Sequence, residues 1–76
     1  MKKTSRGPVP GLTETELAIV AKVANGDTNR EISDALGLST RTIETYRLRL
    51  MRKLNVRGTA GLVKFALRQN LTTLEG

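Results

Sequence analysis

The sequence has no cysteine, no histidine and no tryptophan, and its aromatic residues are one tyrosine, Tyr46, and one phenylalanine, Phe65. Without cysteine no disulfide or thiolate metal site can reinforce a core, and a reducing, cytoplasmic setting is expected. The further lack of histidine removes most zinc, haem and cysteine- or histidine-based nucleophilic chemistries. No cofactor, no metal and no enzymatic activity are therefore expected. Two aromatic residues are too few for the stacking platforms that bind single strands or RNA loops. Long apolar runs are missing too. The longest, around Leu17 to Val23, is broken by Lys22 and falls far short of the ~20 residues of a membrane span, so a soluble chain with no membrane partner is expected. The opening "MKK" is followed by "TSRGPVPG", where a signal peptide would need an apolar stretch.

Acidic residues are scarce as well: seven Asp and Glu stand against thirteen Lys and Arg, for a net charge of +6 on 76 residues. A surplus of this size in one small domain favours a polyanionic partner, nucleic acid first and an anionic membrane surface second. Its distribution favours duplex DNA. Lys2, Lys3 and Arg6 lie in a non-periodic, Pro- and Gly-bearing stretch, residues 1–11, which reads as a tail or interdomain linker. Arg41, Arg47, Arg49, Arg52, Lys53 and Arg57 fall within one window of seventeen residues. A chain this short buries only ~60% of its unfolded surface, so any function rests on a thin core.

The remainder, residues 12–76, reads as an all-α, compact four-helix domain with helices over about 14–25, 29–36, 40–54 and 59–70. In "LTETELAIVAKVANG" Thr13 and Glu16 form a capping box, Leu12 can staple onto Leu17, and Gly26 stops the helix. Leu17, Val20, Ala21 and Ala24 lie on one face, which predicts the core side. "TNREISDALG" repeats the pattern, with Thr28 and Glu31 as the box, Ile32, Ala35 and Leu36 predicted inward, and Gly37 as the stop. Ser39 can cap a third helix that continues to Leu54. In the fourth, "TAGLVKFALRQNL", Leu62, Phe65, Ala66 and Gln69 share one face and Val63, Leu67 and Leu71 another, while Gly61 weakens the first turn. A helix pair joined by a short Gly-containing turn, with a basic second member, is the helix-turn-helix signature.

On a wheel of ~100° per residue, the third helix sorts into two surfaces. Ile43, Leu50 and Leu54 form an inward stripe with Tyr46 and Met51 at its edges, and Arg41, Glu44, Thr45, Leu48, Arg49 and Arg52 point the other way. The outer surface suits a major groove, where residues early in the helix reach base edges and later ones lie over phosphates. Glu44, Thr45 and Leu48 are the predicted base contacts. Each has a plainer alternative: Glu44 can pair with Arg41 or Arg47 or favour the helix N-terminus, and Leu48 can be an ordinary exposed leucine. Arg49 and Arg52 can be mere solvated surface, and Arg47 can cover the core with its stem and offer its head to a phosphate. Thr28, Asn29 and Arg30 can bind a phosphate through backbone N–H groups and side chains, with capping as the alternative role.

The stretch from Leu12 to Leu71 resembles the LuxR-type (GerE/FixJ-like) helix-turn-helix domain of bacterial transcription regulators. The resemblance rests on "LTETE", "NGDTNREIS", "LSTRTIETYR", "MRKLNV" and "LVKFAL" taken together. It implies sequence-specific duplex DNA binding as a dimer, with the third helix in the major groove and the fourth forming the contact between copies. RNA polymerase is a further partner implied for such a regulator. Carried over by position, base contacts fall again on Glu44, Thr45 and Leu48, and phosphate contacts on Thr28, Asn29, Ser39, Thr42, Tyr46 and Lys53. Val63 and Leu67 are the candidates for self-contact, the alternative being that both pack on the first helix. This chain departs from the family pattern at Thr15, where Arg is common, at Thr59 and Gly61, where a basic and an acidic residue are frequent, and at Leu48, where a polar or basic residue is usual. The first three departures remove usual partners of ion pairs between the first and fourth helices, and the one at Leu48 bears on the strength of base readout. The competing function is a basic helical module that binds RNA or an acidic protein.

Overall fold

In the computed structural model, which describes residues 11–71, three of the four helices begin at side chains that complete their first turn. Helix α1, Glu14–Ala24, starts from Thr13, whose hydroxyl accepts from the Glu16 N–H at 3.1 Å while the Glu16 carboxylate accepts from the Thr13 N–H at 2.9 Å. Helix α2, Asn29–Leu36, repeats this box with Thr28 and Glu31 at 3.1 and 2.8 Å. Helix α3, Thr40–Leu54, is capped by Ser39, whose hydroxyl accepts from the Thr42 N–H at 3.0 Å and donates to the Thr42 hydroxyl at 2.9 Å. Each box satisfies donors that the helix itself leaves unpaired. Helix α4, Gly58–Arg68, has no side-chain cap.

The turn between α2 and α3 depends on Gly37, at φ +69°. This left-handed residue brings the Leu38 N–H back to the Ser33 carbonyl at 3.0 Å, ending α2 and redirecting the chain within three residues. Asn55, at φ +58°, does the same for α3, with the Val56 N–H on the Met51 carbonyl at 2.9 Å. The all-α reading holds among the described residues, and the observed helix bounds lie within two residues of the expected ones. Helix α1 packs chiefly on α4 and α2 chiefly on α3, with α1 also against α3.

The core is Ile19, Val20, Val23, Ile32, Ile43, Leu50, Leu62, Ala66 and Leu71. Fully burying one such aliphatic side chain contributes about 1.5–3 kcal/mol, so in so small a set each member matters to a marginal total. Two expected inward faces, on α1 and α2, need correction, as does the grouping of Gln69 and Leu71 on α4. The buried residues of α1 are Glu16, Ile19, Val20 and Val23, one stripe round from the expected Leu17, Val20, Ala21 and Ala24, which apart from Val20 are only partly buried. On α2 the inward residues include Ser33 and Ala35 is exposed. Asn29, Ile32, Ser33 and Leu36 follow the i, i+3, i+4, i+7 rule, and the Ser33 hydroxyl is satisfied by the Arg30 carbonyl at 2.8 Å. On α4 Gln69 is exposed. Asn70, at φ +55°, turns the chain there so that Leu71 returns to the core, its N–H on the Ala66 carbonyl at 2.8 Å. The tail assigned to residues 1–11 lies outside the described residues except for Gly11.

Gly61 has a positive reason to be small. A Cβ built on it would meet the Val56 Cβ at 2.8 Å and its Cγ2 at 3.2 Å. The bare helix backbone is what lets the first turn of α4 close onto the residue that follows α3.

Candidate nucleic-acid interface

Helix α3 is pinned from one side only. Ile43 and Leu50 are fully buried, Tyr46, Met51 and Leu54 are half-buried, and every residue expected on the opposite side, Arg41, Glu44, Thr45, Leu48, Arg49 and Arg52, is exposed. Leu48 is 64% exposed, one of two large apolar side chains left open to solvent among the described residues. The Thr45 hydroxyl donates to the Arg41 carbonyl one turn back at 3.1 Å, which spends its proton on the helix and leaves its oxygen to accept. Ser39, Arg41, Thr42, Thr45, Tyr46 and Arg49 line a shallow open depression of about 450 Å³ along the first half of α3. Five expected phosphate contacts and one expected base contact, Thr45, therefore line one depression.

Two of the basic residues expected on phosphates are engaged within the fold. The Lys53 ammonium lies 3.0 and 3.1 Å from the two carboxylate oxygens of Glu16, the one ion pair among the described residues. Its side chain is 43% exposed and that of Glu16 only 8%. Burial pushes the Glu16 carboxyl up, but the Thr13 N–H, the hydrogen bond and charge of Lys53, and the Thr13 hydroxyl together outweigh it and hold the group below its ordinary value. Sequence reading gave Glu16 only a capping role. Its place on the stripe of Ile19, Val20 and Val23 was the available signal, but the partner lies thirty-seven residues away, beyond any local pattern.

Arg47 is the second. Its guanidinium donates to Asn29 Oδ1 at 2.8 Å and to Thr59 Oγ1 at 2.6 Å, tying the middle of α3 to the first turns of α2 and α4. Neither acceptor is charged. Among the described residues Glu44 pairs with neither Arg41 nor Arg47, and Arg30, Arg41, Arg49 and Arg52 meet no carboxylate. What remains outward on α3 is a lone carboxylate and an exposed leucine among uncompensated arginines.

At the start of α2, Thr28 is occupied by its capping box and Arg30 is exposed, while Asn29 is half-buried beneath Arg47. On α4 the two candidates for self-contact separate: Leu67 is 58% exposed, whereas Val63 is half-buried and packs against the core. No group of three or more His, Cys, Asp or Glu among the described residues is placed to hold a metal ion, and no described helix is long and apolar enough to cross a membrane.

A short helix, a tight glycine turn and a second helix held down on one side, with a cationic outer face, define a helix-turn-helix domain. The sequence profile described as "Bacterial regulatory proteins, luxR family" matches residues 10–66, and the chain belongs to that family, which is a DNA-binding regulatory family and not a family of enzymes. It is 44% identical over 63 residues to an uncharacterized response regulatory protein, YgeK, of Escherichia coli, covering 83% of this chain and 43% of that protein. To the response regulator UvrY of Escherichia coli it is 37% identical over 71 residues, covering 93% of this chain and 33% of the relative. The chain thus spans less than half the length of these relatives. No solved structure is significantly similar.

Proposed function

We propose that this domain binds duplex DNA sequence-specifically as part of a transcription regulator, with α3 in the major groove. Glu44, Thr45 and Leu48 lie over base edges, and Thr28, Asn29, Arg30, Ser39, Arg41, Thr42, Tyr46, Arg49 and Arg52 face phosphates. Residues 12–76 form the binding domain and residues 1–11 a tail or linker, two copies meet on DNA through α4 with Leu67 at the centre and Val63 beside it, and the regulator acts on RNA polymerase in the cytoplasm. The observation that carries this reading is the outer face of α3: exposed throughout, cationic and, among the described residues, free of internal ion pairs. A carboxylate in a phosphate-lined groove is repelled except where a cytosine amino group donates to it, so Glu44 converts general attraction into selection. Leu48 adds apolar contact suited to a thymine methyl.

Selection from a pool of randomised duplexes tests the proposal. It should return a short motif, arranged as two half-sites, with binding that weakens steeply as salt is raised. Recovery of no motif, or tighter binding to structured RNA than to any selected duplex, would favour the module that binds RNA or an acidic protein.

A further inference from the structure

Arg47 is the one arginine of α3 whose guanidinium is occupied within the described fold. We infer that it is a positioning residue for DNA binding, which orients the Asn29 amide as a phosphate donor and does not itself touch DNA. The inference rests on the duplex-binding reading above. Arginine can only donate, so the group that faces it at 2.8 Å must be the carbonyl oxygen of Asn29. The amide is planar, and with Oδ1 fixed on Arg47 the two N–H groups of Nδ2, on the other branch, are left to donate elsewhere. An asparagine with its acceptor occupied by Arg47 and its donors unspent on it, one residue after the α2 cap, matches an anion.

Thr59 supplies the second anchor. By accepting from the other guanidinium nitrogen at 2.6 Å, its hydroxyl fixes the plane of the fork and leaves its own proton pointing away from Arg47. The flanking groups are then both donors held by one cation, in the first turns of α2 and α4. Glu44, the nearest acid on α3, does not compete, since it has no bond to Arg47 among the described residues.

The test measures duplex affinity across a salt series for the unaltered protein, Arg47→Met, Asn29→Ala, the double variant and Arg49→Met, each with a thermal melt. A lost hydrogen bond to a charged group weakens binding roughly ten- to a hundredfold, so each of Arg47→Met and Asn29→Ala should lose an amount in that range, and the double variant little more than either. A cationic side chain that binds a phosphate directly releases a counterion, so its removal takes about 0.9 from the log–log salt slope, whereas a neutral donor such as Asn29 does not. Arg49→Met should show that loss, and Arg47→Met should not. If Arg47→Met lowers the slope by the same amount and its effect adds to that of Asn29→Ala, Arg47 is itself a phosphate contact and the positioning role is overturned.

Should Arg47→Met fail to fold, Asn29→Asp carries the test. It keeps an acceptor for Arg47 and adds an acid at a helix start, which does not weaken the fold, but it has no proton to give at neutral pH and its charge is repelled by phosphate, so duplex affinity must fall at a melting temperature no lower than that of the unaltered protein. Undiminished affinity would overturn the inference. Absence of salt-dependent duplex binding by the unaltered protein would instead remove the functional reading and this role with it.

Discussion

Lys53 separates two accounts of the basic helix, because the sequence places it on DNA and the structure places it on Glu16. Replacing it with Met keeps the aliphatic stem and removes the ammonium that neutralises a carboxylate only 8% exposed. Breaking a fully buried pair from one side costs ~3–5 kcal/mol, but Lys53 is 43% exposed, so solvent already screens the pair and the expected loss is nearer ~1–2 kcal/mol. In a domain of this size that lowers the melting temperature by about 4–16 °C. Glu16→Gln should cost far less, since the amide oxygen can still accept from the Thr13 N–H, and Lys53→Met in the Glu16→Gln background should cost almost nothing. Denaturant titration of the four proteins gives the coupling directly. An unchanged midpoint for Lys53→Met, together with a salt slope for DNA smaller by about 0.9, would refute the reasoning and return Lys53 to the phosphates.

The same pair fixes an acid dependence. The Glu16 carboxyl is held below its ordinary value in the folded state, so between the folded and unfolded values the unfolded chain binds more protons and stability rises with pH. The contribution is complete above the ordinary glutamate value and is lost as pH falls through the lowered one. Lys53→Met removes two of the influences that hold the group down, so acid unfolding of that variant should begin at higher pH. A circular-dichroism titration of both proteins reads the difference.

Three further outcomes test the remaining surfaces. Glu44→Gln replaces an acceptor with a group that both donates and accepts, which should move the preferred base at one position of the selected motif from cytosine toward adenine by about 1–3 kcal/mol; an unchanged motif would remove Glu44 from the readers. Gly61→Ala gains ~1 kcal/mol of helix propensity in an open helix, but here the added methyl lies 2.8 Å from the Val56 Cβ, and overpacking at ~1–3 kcal/mol should make the variant melt lower. A higher melting temperature would show that α4 can move away from Val56 freely. Leu67→Glu, at a site 58% exposed, should leave folding intact and abolish cooperative binding to paired half-sites; retained cooperativity with unaltered sedimentation would place the dimer contact elsewhere.

The local grammar of this chain was legible in advance. Thr13, Thr28 and Ser39 announce helix starts, Gly26 and Gly37 announce stops, and the wheel of α3 separates Ile43 and Leu50 from the arginines, because caps, breakers and periodicity all act within four residues. The errors came where tertiary partners decide. Glu16 is buried in place of a neighbouring apolar residue because Lys53 neutralises it from another helix. Ala35 points outward because the axis of α2 is set by Ile32 and Leu36 together with Asn29, which sits beneath Arg47. Gly61, which by propensity alone weakens a helix, is what allows α4 to close on Val56. A residue's type states what it can do locally, and only the packed neighbour selects which of those uses occurs.

That selection changes the charge available for DNA. From sequence, Arg30, Arg41, Arg47, Arg49, Arg52 and Lys53 all count as phosphate ligands, which at ~0.9 per contact implies a log–log salt slope of about −5.4 for each domain. The structure holds Arg47 on Asn29 and Thr59 and Lys53 on Glu16, leaving four of these six cations and a slope of about −3.6. Hydrogen bonds from Thr28, Asn29, Ser39, Thr42 and Tyr46 are neutral and release no counterion, so they do not restore the difference. Over a fourfold rise in salt the first slope predicts a loss of affinity of roughly 1,800-fold and the second roughly 150-fold. A titration of one domain on a single half-site distinguishes them readily, and a slope near −5.4 would mean that DNA pulls both internal cations out of their contacts. With the shallower slope, general attraction is a smaller share of binding, and Glu44, Thr45 and Leu48 must supply correspondingly more of the discrimination.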